Sequence, residues 1–160
     1  MKTAKFHQYI LNFKRPSGTS RGILDTKETY FIEIFEDGKK GIGECSLFRG
    51  LSFDDDDDYE NALEWACRNI NLKLEDLQEE LVNHPSIIFG IEQALLNLEH
   101  QGDLYFPSDF TDGKDSIMIN GLIWMGETDY MQSQIEEKLE SNFTCIKLKI
   151  GTDWDSEREI

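Results

Sequence analysis

The chain has 160 residues, 32 acidic against 16 basic, for a formal net charge of -16. That balance argues against nucleic acid, where clustered Lys and Arg must displace counterions, and equally against an anionic membrane surface. With 39% apolar residues and 12 glycines there is material for a packed core, in one domain or one plus part of another.

The first strand is expected over residues 2–13, which hold several β-formers. Its longest apolar run, Tyr9-Ile10-Leu11, is far short of the roughly 7–15 residues of a signal peptide. Nothing approaches the ~20 apolar residues of a membrane helix, and a cytoplasmic location is expected. Pro16, Ser17, Gly18, Thr19 and Ser20 are turn formers in a row, predicting a loop. Residues 29–35 alternate as a second strand. Asp37-Gly38 then signals a hairpin turn, and 40–46 returns as a third strand, completing a three-stranded antiparallel meander.

From Asp54 the period changes from two to 3.6. Tyr59, Ala62, Leu63, Ala66, Cys67 and Ile70 share one helical face, and the acidic run 54–58 is placed to cap that helix. A shorter helix is predicted over 74–81. A third carries Ile87, Ile88, Ile91, Ala94, Leu95 and Leu98, opened by Pro85 and closed by Gly102. Residues 103–115 read as a loop between modules. Beyond it the pattern predicts a strand at 116–124, a helix with Met131, Ile135 and Leu139 inward, a strand at 144–150 and a helix starting at 154–160. This order implies a parallel α/β unit. Two parallel strands cannot cover their own faces, so the chain is expected to be a piece of a larger architecture.

Few constellations carry chemistry. An EF-hand loop starting at Asp54 would need Gly sixth and Glu twelfth, and finds Tyr59 and Trp65. His7, His84 and His100 share no metal-ligand spacing. Cys45, Cys67 and Cys145 form neither a CxxC site nor a disulfide framework. Gly41-Ile42-Gly43-Glu44-Cys45 lacks the remainder of a phosphate loop and reads as a strand with close backbone approach. The segment Ser17-Gly18-Thr19-Ser20-Arg21 has hydroxyls and a guanidinium suited to a carboxylate, although a plain surface loop is the commoner reading.

Cys145-Ile146-Lys147-Leu148-Lys149-Ile150-Gly151 is the informative stretch. On a strand, Lys147 and Lys149 point the same way, roughly 6.6 Å apart. On a half-exposed sheet they would simply face water. Inside a closed parallel barrel they would repel and lose hydration, which favours a neutral amine able to act as a base.

The pieces Arg15-Pro16-Ser17-Gly18-Thr19-Ser20-Arg21-Gly22, Gly41-Ile42-Gly43-Glu44-Cys45-Ser46, Gly90-Ile91-Glu92-Gln93-Ala94-Leu95-Leu96, Ile119-Asn120-Gly121-Leu122-Ile123-Trp124-Met125-Gly126 and Lys147-Leu148-Lys149 occur in family order. Together they resemble the enolase superfamily, its muconate-lactonizing-enzyme subgroup and, within that, the o-succinylbenzoate synthases. Asn97 departs from the Asp often found there, with no catalytic consequence expected. The resemblance implies an α+β capping domain over 1–110, followed at 111–160 by the first strands and helices of a truncated (β/α) TIM-like barrel. A complete barrel takes roughly 250 residues.

By position, the resemblance makes Lys149 the general base and Lys147 its electrostatic helper. Thr19 and Arg21 become substrate contacts on a mobile capping loop. It implies a small carboxylate substrate, a succinyl-substituted hydroxycyclohexadiene carboxylate, dehydrated to o-succinylbenzoate for menaquinone synthesis. Mg²⁺ is the implied cofactor, a pairing of lysine and magnesium already known for the superfamily, with its ligands expected beyond residue 160. The fragment alone is expected to be inactive, and a homo-oligomer remains open. Two alternatives stand beside this. One is a dipeptide epimerase or N-acylamino acid racemase of the same subgroup. The other is a non-catalytic acidic α+β binding module with exposed lysines.

Overall fold

The computed structural model describes residues 1–19, 22–102 and 104–149. They gather into two compact units. One comprises Met1–Lys14 and Asp25–Pro107; the other comprises Arg15–Leu24 and the described residues from Ser108 onward.

The expected meander is present as a three-stranded antiparallel sheet, β1 (Thr3–Thr19), β2 (Gly22–Glu36) and β3 (Lys39–Ser46), in that spatial order. Tyr30 pairs with Cys45, Ile34 with Gly41 and Glu36 with Lys39. Asp37 and Gly38 both have positive φ, 51° and 78°, as a type I′ turn requires. One expectation fails at the start. The loop read at 16–20 is strand as far as Thr19, and β2 begins at Gly22, well before residue 29. β1 is an edge strand, the place in a sheet where a proline such as Pro16 is tolerated.

Three helices cover one face of this sheet: α1 (Tyr59–Arg68), α2 (Leu74–Glu80) and α3 (Pro85–His100). Tyr30, Ile32 and Ile34 of β2 form the core with Tyr59, Leu63 and Ala66 of α1 and Ile87, Ile91 and Ala94 of α3. The acidic run does not do what its position suggests. Asp58 precedes α1 without capping it. Asp54 is instead buried, 3% exposed, and accepts a hydrogen bond from Ser86 N–H in the first turn of α3 at 2.9 Å. Asp55 accepts from Arg49 and Gly50, and Asp56 pairs with His84 at 3.2 Å. The demand comes from α3, whose own N-cap His84 supplies no side-chain acceptor. At its other end α3 closes on Gln101 (φ 53°), one residue before the expected Gly102. The Gln101 amide donates to Leu98 O at 2.9 Å, satisfying a terminal carbonyl with a side chain.

α3 lies directly on β3. A Cβ at Gly41 would collide with Ala94 O, one at Gly43 with Gly90 O, and one at Gly90 with Cys45 Sγ. The approach lets α3 satisfy the outer N–H groups of β3. Gln93 Oε1 accepts from Glu44 N–H at 3.0 Å and Asn97 Oδ1 from Ile42 N–H at 2.9 Å.

In the second unit β4 (Gly121–Ile123) pairs in parallel with β5 (Ile146–Leu148), joined through α4 (Thr128–Glu140). This is the expected strand–helix–strand order, consistent with the start of a barrel. The strands are shorter than their apolar runs at 116–124 and 144–150. Their shared ladder covers three residues, and Ile117, Met118 and Ile119 face solvent. On α4, Met131 is buried but Leu139 is 57% exposed, so the predicted apolar face is only partly used. The helix expected at 154–160 lies outside the described residues.

Gly43→Ala should destabilise the chain by about 1–3 kcal/mol, the usual cost of overpacking. The sign opposes backbone propensity, since Gly in a strand interior is normally the weaker choice. Urea unfolding measures it, and a neutral or stabilising result would mean that α3 does not press on β3.

Candidate functional site

The two lysines singled out by sequence sit on β5 and just past its end. β5 is held against β4 with Lys147 opposite Leu122 and Leu148 opposite Ile123. Lys149 N–H continues the ladder by donating to Ile123 O at 3.2 Å. Lys147 is exposed and Lys149 half-buried.

What separates them is Trp124. The Lys149 ammonium stands 3.7 Å from the centroid of the Trp124 ring. Gln134, on α4, fixes the peptide groups of that tryptophan. Its Oε1 accepts from Trp124 N–H and its Nε2 donates to Trp124 O, each at 3.0 Å. The Gln134 amide thus continues β4 with a side chain where the ladder ends. Nearby, Gly126 leaves room for the Tyr130 ring, which Arg15 overlies at 5.8 Å. Sequence reasoning noticed Trp124 only as part of a motif and missed Gln134. A glutamine on a helix carries no periodic signal that would have found it.

Thr19 is the last described residue of β1, and Arg21 lies outside the described residues, so neither is placed against the lysines. Among the described residues no group of three or more His, Cys, Asp or Glu side chains converges to hold a metal ion. These residues do not themselves form a magnesium site.

Comparison with known proteins fixes the family. The model of the MenC, N-terminal domain family matches residues 1–98, more than half of the chain. The chain belongs to that family. An o-succinylbenzoate synthase of Desulfotalea psychrophila is 38% identical, with 92% of this chain and 49% of that protein covered. The crystal structure of MenC from the same organism superposes with a TM-score of 0.72 at 32% identity, over 98% of this chain and 50% of the other. A magnesium-bound o-succinylbenzoate synthase of Thermosynechococcus elongatus shares the fold, with a TM-score of 0.69 at 16% identity, over 98% and 46%. So does a dipeptide epimerase of Cytophaga hutchinsonii complexed with Mg and a dipeptide (0.64, 23% identity, 99% and 46%). The chain spans about half the length of the curated relative it matches.

Three carboxylates of this MenC-type domain are held below their usual range. For Glu33 the cause is a hydrogen-bonded ion pair with Lys5 at 2.9 Å, which outweighs its burial, with Lys40 adding at 3.3 Å. For Glu44 burial pushes upward, but the Thr29 hydroxyl at 2.7 Å and the Lys27 ammonium at 3.0 Å together prevail. For Asp55 the Gly50 N–H acts first and Arg49 second. Unfolded, these groups return to about 3.9 for Asp and 4.3 for Glu. The unfolded chain therefore binds more protons in the acid range. Stability is fully present above those values and is lost as pH falls through the lower folded ones. Denaturation midpoints should fall steadily from about pH 5 downward. Glu33→Gln should flatten that slope, and an unchanged slope would remove Glu33 from the acid-sensitive set.

Proposed function

We propose that this chain is the lysine-bearing N-terminal part of an o-succinylbenzoate synthase-type carbon–oxygen lyase. Residues 1–110 form the capping domain and 111–160 the start of the (β/α) barrel. The observation that carries the reading is the pair Lys147 on β5 and Lys149 just past its end, in a chain 38% identical to an o-succinylbenzoate synthase.

The substrate is a small cyclic carboxylate bearing a hydroxyl, and the setting is cytoplasmic menaquinone synthesis. Lys149 Nζ takes the proton α to the carboxylate. The same amine, now an ammonium, returns that proton to the departing hydroxyl, so the ring gains a double bond and water leaves. Lys147 places a second positive charge on the same face of the strand, facing the negative charge that develops on the carboxylate. Thr19 and Arg21 contact the substrate from the capping side. Magnesium, when bound, supplies further stabilisation of that charge. Its ligands are proposed to come from the length of the relatives that this chain does not span.

In the full-length protein carrying this chain, Lys149→Ala should lower kcat by about 10²–10⁴-fold, the usual value of a general base. Lys147→Ala should cost less. Lys149→Arg should not restore turnover, because guanidinium does not deprotonate in this range. The 160-residue chain alone should show no Mg²⁺-dependent dehydration. Near-normal turnover of Lys149→Ala would sink the reading. Epimerisation of a dipeptide by the full-length protein, without dehydration, would move it to the epimerase alternative.

A further inference from the structure

Lys147 on β5 and Lys149 just past its end are two residues apart, the spacing that puts strand residues on one face, and that spacing alone does not choose between them. The surroundings do. Among the described residues no carboxylate lies within ion-pair distance of the Lys149 ammonium; its partner is the face of Trp124 at 3.7 Å. Other cation–ring contacts among the described residues are looser, from 5.1 Å for Lys27 on Phe48 to 5.9 Å for Lys138 on Phe143. Indole is also the ring with the strongest attraction for a cation. Lys147 lies opposite Leu122, an aliphatic side chain that offers no such face.

The ring is itself held. In the parallel register the residue after Ile123 stands beside the residue after Leu148, which puts Trp124 beside Lys149. Beyond that point the ladder ends, and the tryptophan backbone would be free to turn. The Gln134 amide engages both its N–H and its C=O at 3.0 Å, and Nε2 also reaches Tyr130 O at 3.4 Å. A side chain anchored on α4 thereby holds the backbone that carries the indole, and the indole lies against a flexible four-carbon amine.

We propose that Trp124 and Gln134 are positioning residues for Lys149: Gln134 fixes the Trp124 backbone, and the Trp124 indole holds the Lys149 amine at a single place beside β5. The inference rests on the reading of Lys149 as the base; the ring attracts the ammonium, so the contact holds the group in the form that returns the proton to the departing hydroxyl and sets its place, not its basicity. A base held in one place meets the substrate proton without first surrendering rotamer freedom, and displacement by about 1 Å can cost about 10²-fold in rate.

Two readouts test it in the full-length protein, with Lys149→Ala as the reference variant. The first is the split between kcat and KM. Trp124→Leu and Gln134→Leu should lower kcat about ten- to a hundredfold with KM nearly unchanged, and Trp124→Phe, which keeps a ring face, should recover most of the loss. The second needs no turnover. Lys147 and Lys149 are acylated by an amine-reactive ester, and their labelling ratio is read by mass spectrometry. Lys149 should label about two- to fivefold more slowly than Lys147, as a cation–ring contact of ordinary strength implies. Trp124→Leu and Gln134→Leu should bring the two together. Should Trp124→Leu not fold, Trp124→Phe carries the test, with an intermediate ratio expected. Unchanged ratios with wild-type kcat in these variants would overturn the proposal even if Lys149→Ala is inactive. Full turnover in Lys149→Ala would instead overturn the functional reading. The labelling ratio would then still decide whether Trp124 and Gln134 hold this amine.

Discussion

The packing of the first unit depends on how close α3 lies to β3. Backbone meets backbone there because Gly41, Gly43 and Gly90 present no Cβ, and each would otherwise overlap a neighbouring atom. Two consequences follow from that spacing. The side chains of α3 that flank the contact, Ile87, Ile91 and Ala94, reach Tyr30, Ile32 and Ile34 and complete the core. At the same distance Gln93 and Asn97, one turn apart, reach the strand's outer amides. An edge strand normally leaves such donors to water or to another chain. In this sheet the helix supplies the acceptors, so burial by α3 leaves these amides paired.

The second unit solves a similar problem with different groups. Its ladder is short, and the chain beyond it is positioned by one glutamine that imitates a neighbouring strand. A primary amide can do this because it carries a donor and an acceptor at nearly peptide spacing. The result is directional: the strand end is fixed where Trp124 and Lys149 stand side by side, and Lys147 remains exposed two residues back.

Much of this was legible in the sequence where the signal is periodic or steric. The alternation at 29–35 and Asp37-Gly38 announce the hairpin, and the 3.6 period of Ile87, Ile91, Ala94 and Leu98 announces α3. Gly41-x-Gly43 reads as close backbone approach, which is what the structure holds, although the sequence does not point to the partner helix. What failed did so for non-local reasons. Proline and glycine at 16–18 look like a turn unless one knows that the strand is at an edge. The run 54–58 looks like a cap for α1, the next helix in sequence, yet Asp54 serves α3, more than thirty residues away. The apolar stretch 116–124 predicts strand but not how many residues find a partner. For the site, Lys147 and Lys149 stood out through spacing and resemblance. Gln134 was silent, since its role lies in a pairing across ten residues with a backbone that sequence does not show.

Trp124 has one further consequence, which concerns optics. Indole emission responds to nearby charge, and this indole has an ammonium against its face. The first unit carries its own tryptophan, Trp65, on α1 and packed against the core; Trp154 lies outside the described residues. The two units therefore contain chromophores in contrasting settings, one beside apolar side chains and one beneath a cation. With Trp154 replaced and then Trp65 or Trp124 in turn, the intrinsic fluorescence of this chain becomes two separate signals, one for the sheet-and-helix core and one for the lysine strand.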